Sequence, residues 1–208
     1  ITEAITSREL RVGSGSYSPG DSISVIWNMS AGVPADATAT LTLHYNNGQT
    51  AEYNMTNSPL GYFYAYVELP EGCASVQKVS ASAKVSGQTV TEENDALNIT
   101  MKGKLSLTWD AMNTNGTLTI QDSGNNTVSS QFLSKNGGSM ALSLPAGDYT
   151  LSATISVIGM GNVPVLASPT GPITISAGEI QAQTLSFSAT NAVNYQPTVN
   201  RADGGTLY

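Results

Sequence analysis

The stretch SMALSLPAGDYTLSATI, residues 139–155, decides the fold class. Met140, Leu142 and Leu144 alternate with small residues, Pro145-Ala146-Gly147 turns the chain, and Tyr149, Leu151, Ala153 and Ile155 alternate again. A period of two sends successive side chains to opposite faces of a strand, one buried and one wet. The stretch therefore reads as a hairpin.

The same signal spreads outward in both directions. Turn residues 17–21 precede a strand that puts Ile23, Val25, Trp27 and Met29 on one face. Leu41, Leu43 and Tyr45 lead into Asn46-Asn47-Gly48-Gln49, where Asn and Gly tolerate the positive φ of a tight hairpin, and Ala51, Tyr53 and Met55 return. Strands are predicted over 62–69, 76–85, 88–91 and 96–101. A fresh set follows: Leu105-Leu107-Trp109, then 117–121, 129–134, the 139–155 hairpin, 173–176 and a last strand through Leu185 and Phe187. No segment sustains a helical period, so the chain is read as all-β.

Composition narrows the function classes. The 208 residues carry a net charge of −7, and only 11% are charged. The eight basic residues are scattered, so the footprint of a nucleic-acid binder is missing. An anionic membrane surface would repel the chain, and no apolar run reaches the roughly 18 residues of a bilayer span. Cys73 is the single cysteine, which rules out an intrachain disulfide. With neither base nor cation beside it, it reads as a small buried hydrophobe. Ile1 looks like the start of a mature or trimmed chain, with any export signal or anchor upstream.

The boundary that the pattern suggests is Lys102-Gly103-Lys104, between a strand that ends and one that begins. Residues 1–101 follow the immunoglobulin-like pattern of short strands and frequent turns, with Trp27 as a core tryptophan. Residues 104–189 form a second unit, and 190–208 a polar C-terminal tail. The fold expected is two tandem antiparallel β-sandwiches. In the second unit, LPAGDYTLSAT (144–154) followed by ITISAGEIQAQTLSF (173–187) resembles a carboxypeptidase-regulatory or Cna B-type domain. That resemblance implies a transthyretin-like sandwich of a bacterial surface protein. In Cna B-type domains that form a Lys–Asn isopeptide bond, the tyrosine-bearing strand carries a catalytic glutamate. Ala153 stands at the matching position here, so Lys104 is expected to form no such crosslink.

Residues 62–69 carry the candidate site. Phe63, Ala65, Val67 and Leu69 form a core face, which leaves Tyr62, Tyr64 and Tyr66 on the other face with Glu68. Three aromatics on a wet face can stack on sugar rings or anchor a protein partner; they can equally cover a neighbouring strand. Stacking on a glycan requires the rings to be exposed and coplanar. The uncharged stretch 158–172, with Met160, Val163, Val165 and Leu166, reads as a long hairpin or crossover loop, or as an apolar loop that meets a partner. Val193, Tyr195, Val199, Leu207 and Tyr208 are expected to dock on this chain or a neighbour, self-association by strand addition being one route.

Chemistry is poorly served. Glu92, Glu93 and Asp95 supply only part of a calcium shell and read as a solvated loop. His44, the one histidine, reads as exposed; with one cysteine it cannot build a usual zinc site, and no G-x-S-x-G elbow serves a serine triad. The five Asn-x-Ser/Thr sequons, at Asn28, Asn54, Asn98, Asn115 and Asn125, are about what a Ser/Thr-rich chain holds by chance. The expectation is a non-enzymatic bacterial cell-surface protein without cofactor or metal, serving adhesion or a structural role as a fimbrial subunit or spacer. Its partners would be a protein or glycan at the cell surface. The alternatives are a carbohydrate-binding surface module of a glycan-uptake system, with Tyr62, Tyr64 and Tyr66 as its site, and an accessory region of a larger enzyme.

Overall fold

The structure, a computed structural model, describes residues 4–189. The expected docking of Val193, Tyr195, Val199, Leu207 and Tyr208 lies outside the described residues. Among those described the fold is all strand and mostly antiparallel, as the period-two pattern predicts.

The first half holds β1 (Ser7–Val12), β2 (Gly15–Tyr17), β3 (Ser22–Met29), β4 (Thr38–Tyr45), β5 (Thr50–Ser58), β6 (Tyr62–Glu68), β7 (Val76–Val85), β8 (Gln88–Asn94) and β9 (Ile99–Met101). Seven of them form one sheet in the order β1-β3-β6-β5-β4-β7-β8. It folds over on itself at β5, which pairs with β4 through Met55 and with β6 from Thr56 onward. Leu10, Ile23, Val25, Trp27 and Phe63 from one layer meet Leu41, Leu43, Val79 and Ala81 from the other in one apolar cluster. Fully buried Trp27 lies 5.9 Å from Phe63 and donates its indole N–H to Ser7 Oγ at 2.8 Å, so its one polar atom is satisfied. The Asn-Gly hairpin forms as read: Gly48 takes φ +79° and Tyr45 N–H donates to Gln49 O at 2.9 Å. Short parallel strands β2 and β9 pair beside this sheet.

The second half holds β10 (Gly103–Trp109), β11 (Gly116–Asp122), β12 (Thr127–Leu133), β13 (Gly138–Leu144), β14 (Gly147–Val157), β15 (Gly161–Ser168), β16 (Ile173–Ile175) and β17 (Ile180–Ala189). Their order is β12-β11-β14-β15-β17-β10-β13, with β16 on β14. A second apolar cluster, separate from the first, gathers Leu105, Leu107, Leu118, Ile120, Leu133 and Ile175.

Two sequence readings change here, and a third resolves to one of its alternatives. The 139–155 hairpin does not form: β13 pairs with β10, whereas β14 pairs with β11, β15 and β16. Pro145-Ala146-Gly147 is a corner that carries the chain between partners. Tyr149 fastens it by donating its hydroxyl to Pro145 O at 2.9 Å. Of the readings offered for 158–172, the hairpin is the one that forms: β15 returns antiparallel to β14 from a tip at 158–160 and joins β14 to β17. Glu92 and Glu93 lie on strand β8, with Glu93 3.0 Å from the Lys78 amine.

The two halves meet across a dense joint. Ser18, fully buried, donates its hydroxyl to Gly103 O at 3.2 Å and contacts the Ser143 hydroxyl. The Lys104 amine donates to Pro19 O, and so points at the first half. The turn before β17 docks on the 71–74 loop: Gly72 N–H donates to Gly178 O at 2.9 Å, and Gly178 N–H to Lys102 O at 3.0 Å. Ala177 packs against the first cluster. Gly178 sits at φ +77°, and a Cβ there would lie 1.9 Å from Cys73 O. Only glycine fits, for conformation and for space.

From this joint each half runs outward. In the first half, Ser22 and Glu68 lie at the joint end, and Ser7, Met29 and Gly61 at the outer end. In the second, Gly103 and Leu144 lie at the joint, and Trp109, Gly138 and the β14–β15 hairpin tip at the outer end. Ser7 thus lies at the end of the first half away from the joint, and Ala189 at the end of the second half away from it.

Candidate functional site

Strand β6 builds the tyrosine face by alternation. Phe63, Ala65 and Val67 are buried, and Tyr62, Tyr64 and Tyr66 point to the outer surface. Antiparallel pairing with β3 sets Asn28 opposite Tyr62, Ile26 opposite Tyr64 and Ser24 opposite Tyr66. The rings follow one another at 6.1 Å between centroids. They line a shallow groove of about 370 Å³ with Ser24, Ile26, Asn57 and Pro59.

The rings are not coplanar. Tyr62 and Tyr64 are tilted by 54°, and Tyr64 and Tyr66 meet edge-on at 72°. Only Tyr66, 75% exposed, stands free; Tyr62 and Tyr64 are half-buried against the neighbouring strand and each other. Edge-to-face packing is the arrangement that ring quadrupoles favour. A flat platform for consecutive sugar rings, which the glycan reading requires, is therefore not presented.

The aromatic face continues to the outer end of the first half. The 58–61 turn puts Leu60 at 81% exposure next to a second depression of about 250 Å³, lined by Val33, Ala35, Asn57 and Pro59. Asn57 ties this end together by donating its amide to Pro34 O at 2.6 Å, while its Oδ1 has no hydrogen-bond partner. The sequence pattern pointed to the tyrosines but not to this end, because Val33, Ala35 and Leu60 sit in turns with no period to mark them.

The remaining candidates fall as follows. His44 is not exposed: it is half-buried, with Nε2 2.8 Å from Ser80 Oγ on the adjacent strand. Cys73 is buried at the joint, its thiol donating to Ser75 O at 3.4 Å, and burial pushes its pKa up, away from the reactive thiolate. Ala153, which the sequence resemblance aligns with that glutamate, is buried in the second cluster. Among the described residues no group of three His, Cys, Asp or Glu side chains could hold a metal ion, and no helix is long and apolar enough to cross a membrane.

Compared with known proteins, the chain matches no protein-family model and no curated protein sequence.

Proposed function

We propose that this is a non-enzymatic protein of the bacterial cell surface with an adhesive or structural role, built from two sandwiches in series at residues 1–101 and 104–189. The first would be immunoglobulin-like. Its β1-β3-β6 and β4-β7-β8 layers follow the order of strands A-B-E and C-F-G in such domains. The second would be of the transthyretin or Cna B type. One observation carries the reading: two stacks of antiparallel strands, each with its own apolar cluster, are fastened to one another through a joint closed by backbone hydrogen bonds. A unit of that form extends whatever is attached to it, which suits a spacer or fimbrial subunit. Its partners would be a protein or glycan at the cell surface. The tilt of the three tyrosine rings favours a protein over a stacked glycan.

The test is surface labelling of intact source cells with antibody to this chain, beside a glycan array probed with the folded protein and its Tyr62→Ala/Tyr64→Ala/Tyr66→Ala variant. Surface labelling without glycan binding is the expected result. Glycan binding lost in the triple variant would move the assignment to a carbohydrate-binding module. Labelling only after lysis would end the surface reading.

A further inference from the structure

The ladder of the second half has a gap. Strand β10 accompanies β17 only as far as Trp109 beside Leu185. There the chain turns aside: Met112 N–H donates to Lys135 O at 2.7 Å, and the Thr114 hydroxyl to Ser156 O at 2.7 Å. Strand β17 runs on, and its residues 186–189 pair with 165–168 of β15 on one side. Among the described residues no strand pairs with them on the other side. In an antiparallel pair alternate residues turn N–H and C=O away from the partner. The edge therefore offers a short row of backbone donors and acceptors.

The place of the missing strand is a groove of about 470 Å³. Met112, Ile155, Val165, Leu185 and Phe187 line it, and they belong to the second apolar cluster or pack against it. Along β17 the faces alternate. Leu185 is buried and Phe187 half-buried toward the cluster, while Ser186 and Ser188 are exposed. A segment that fits is extended, lies beside β17 and carries an apolar residue at every second position.

The chain itself supplies one. Strand β17 ends at Ala189, beside the groove, and the chain continues through residues 190–208, outside the described ones. Thr190-Asn191-Ala192 comes first, with Asn191 suited to a turn. Val193, Asn194, Tyr195 and Gln196 then alternate apolar and polar, and Pro197 follows. A return over a three-residue loop sets Asn194 opposite Ser188, Tyr195 opposite Phe187 and Gln196 opposite Ser186. The polar pair then faces outward with the serines, and Val193 and Tyr195 face the cluster with Phe187. Pro197, which has no N–H for a ladder, comes opposite Leu185, where Trp109 already holds the edge. A return one residue out of register would lay Asn194 on the apolar floor instead.

We propose that residues 193–196 of this chain occupy the groove as an added antiparallel strand beside β17, with Tyr195 against Met112, Ile155 and Phe187. The groove is thus a site for an extended, alternately apolar peptide, and the chain's own tail is its occupant. The inference stands apart from the surface reading above.

Paired cysteines test the register in the full chain. Ser188→Cys with Asn194→Cys is expected to close a disulfide within one molecule under mild oxidation. Ser188→Cys with Tyr195→Cys, one residue out of register and on the opposite face, should close several-fold less. Cys73, buried at the joint, stays out of the exchange. Hydrogen exchange gives an independent reading. The groove-side amides of 186–189 should exchange several-fold faster in Tyr195→Asp than in the unaltered chain, while amides of β11 keep their protection and show that the half still folds. Disulfide-linked dimers in place of closure within one molecule would make the occupant a second copy and overturn the within-chain proposal. Equal closure by the two cysteine pairs, or unchanged exchange at 186–189 in Tyr195→Asp, would overturn it outright.

Discussion

Gly178→Ala isolates the strength of the joint. Gly178 and Gly87 share φ +77°, but a Cβ on Gly87 would meet no atom within 4 Å, whereas one on Gly178 would lie 1.9 Å from Cys73 O and 2.4 Å from Cys73 C. Both alanine variants carry the cost of a left-handed backbone, about 1 kcal/mol. Only Gly178→Ala adds a collision. Real contacts of this kind seldom fall under 3.0 Å, so the 71–74 loop must retreat by more than an ångström. That parts Gly72 N–H from Gly178 O and loosens Ile180 N–H on Glu71, each bond contributing about 1 kcal/mol. We expect Gly178→Ala to lose about 3–4 kcal/mol and Gly87→Ala about 1 kcal/mol. Urea unfolding measures both. Trp27 lies in the first cluster and Trp109 in the second, so Trp27→Phe and Trp109→Phe backgrounds let fluorescence follow each half alone. In the parent the two reporters should unfold together, and in Gly178→Ala they should separate. Equal losses in the two alanine variants, with coincident reporters throughout, would refute the reasoning.

Other expectations follow from burial and charge. Phe63→Ala should cost about 3–5 kcal/mol by emptying the first core, while Tyr66→Ala, on the opposite face of the same strand and 75% exposed, should stay within about 0.5 kcal/mol; thermal unfolding compares them. Burial raises the folded-state pKa of Tyr45, Cys73 and Tyr149. These groups therefore favour folding while protonated, a contribution that is complete below their unfolded values and lost as pH rises. The midpoint of urea unfolding should fall above about pH 9, and Tyr45→Phe should blunt the fall. Asp122 accepts from the Asn126 and Gly124 backbone N–H groups and from the Asn126 amide, which holds its carboxyl below the ordinary range. A carbon-detected NMR titration should place its midpoint under that of a free aspartate, and Asn126→Ala should bring it back toward normal.

What the sequence makes legible is local. Strand β7 covers Val76–Val85, the span its alternation predicts, and the Asn-Gly turn and the tyrosine face form where their residues put them. Partner choice is not local. Leu144 and Gly147 flank a turn that would serve a hairpin equally well, and only the remote strands β10 and β11 decide that it is a corner. Strand β15 stayed hidden because Pro164 and the glycines around it weaken a strand pattern that tertiary pairing restores. The need for glycine at 178 comes from Cys73, more than 100 residues earlier, so no window of sequence displays it.

The parallel pairing of β10 with β17 bears on how the molecule carries load. Strand β10 begins at the joint and β17 ends at the outer end, side by side over six matched positions from Lys104 with Ile180 to Trp109 with Leu185. Tension between the joint and Ala189 pulls these neighbours in opposite directions along their length. Such a pull shears the ladder, so its hydrogen bonds must yield together; a hairpin opened from its free end gives way one rung at a time. The second half is thereby strung to resist stretching between the joint and Ala189.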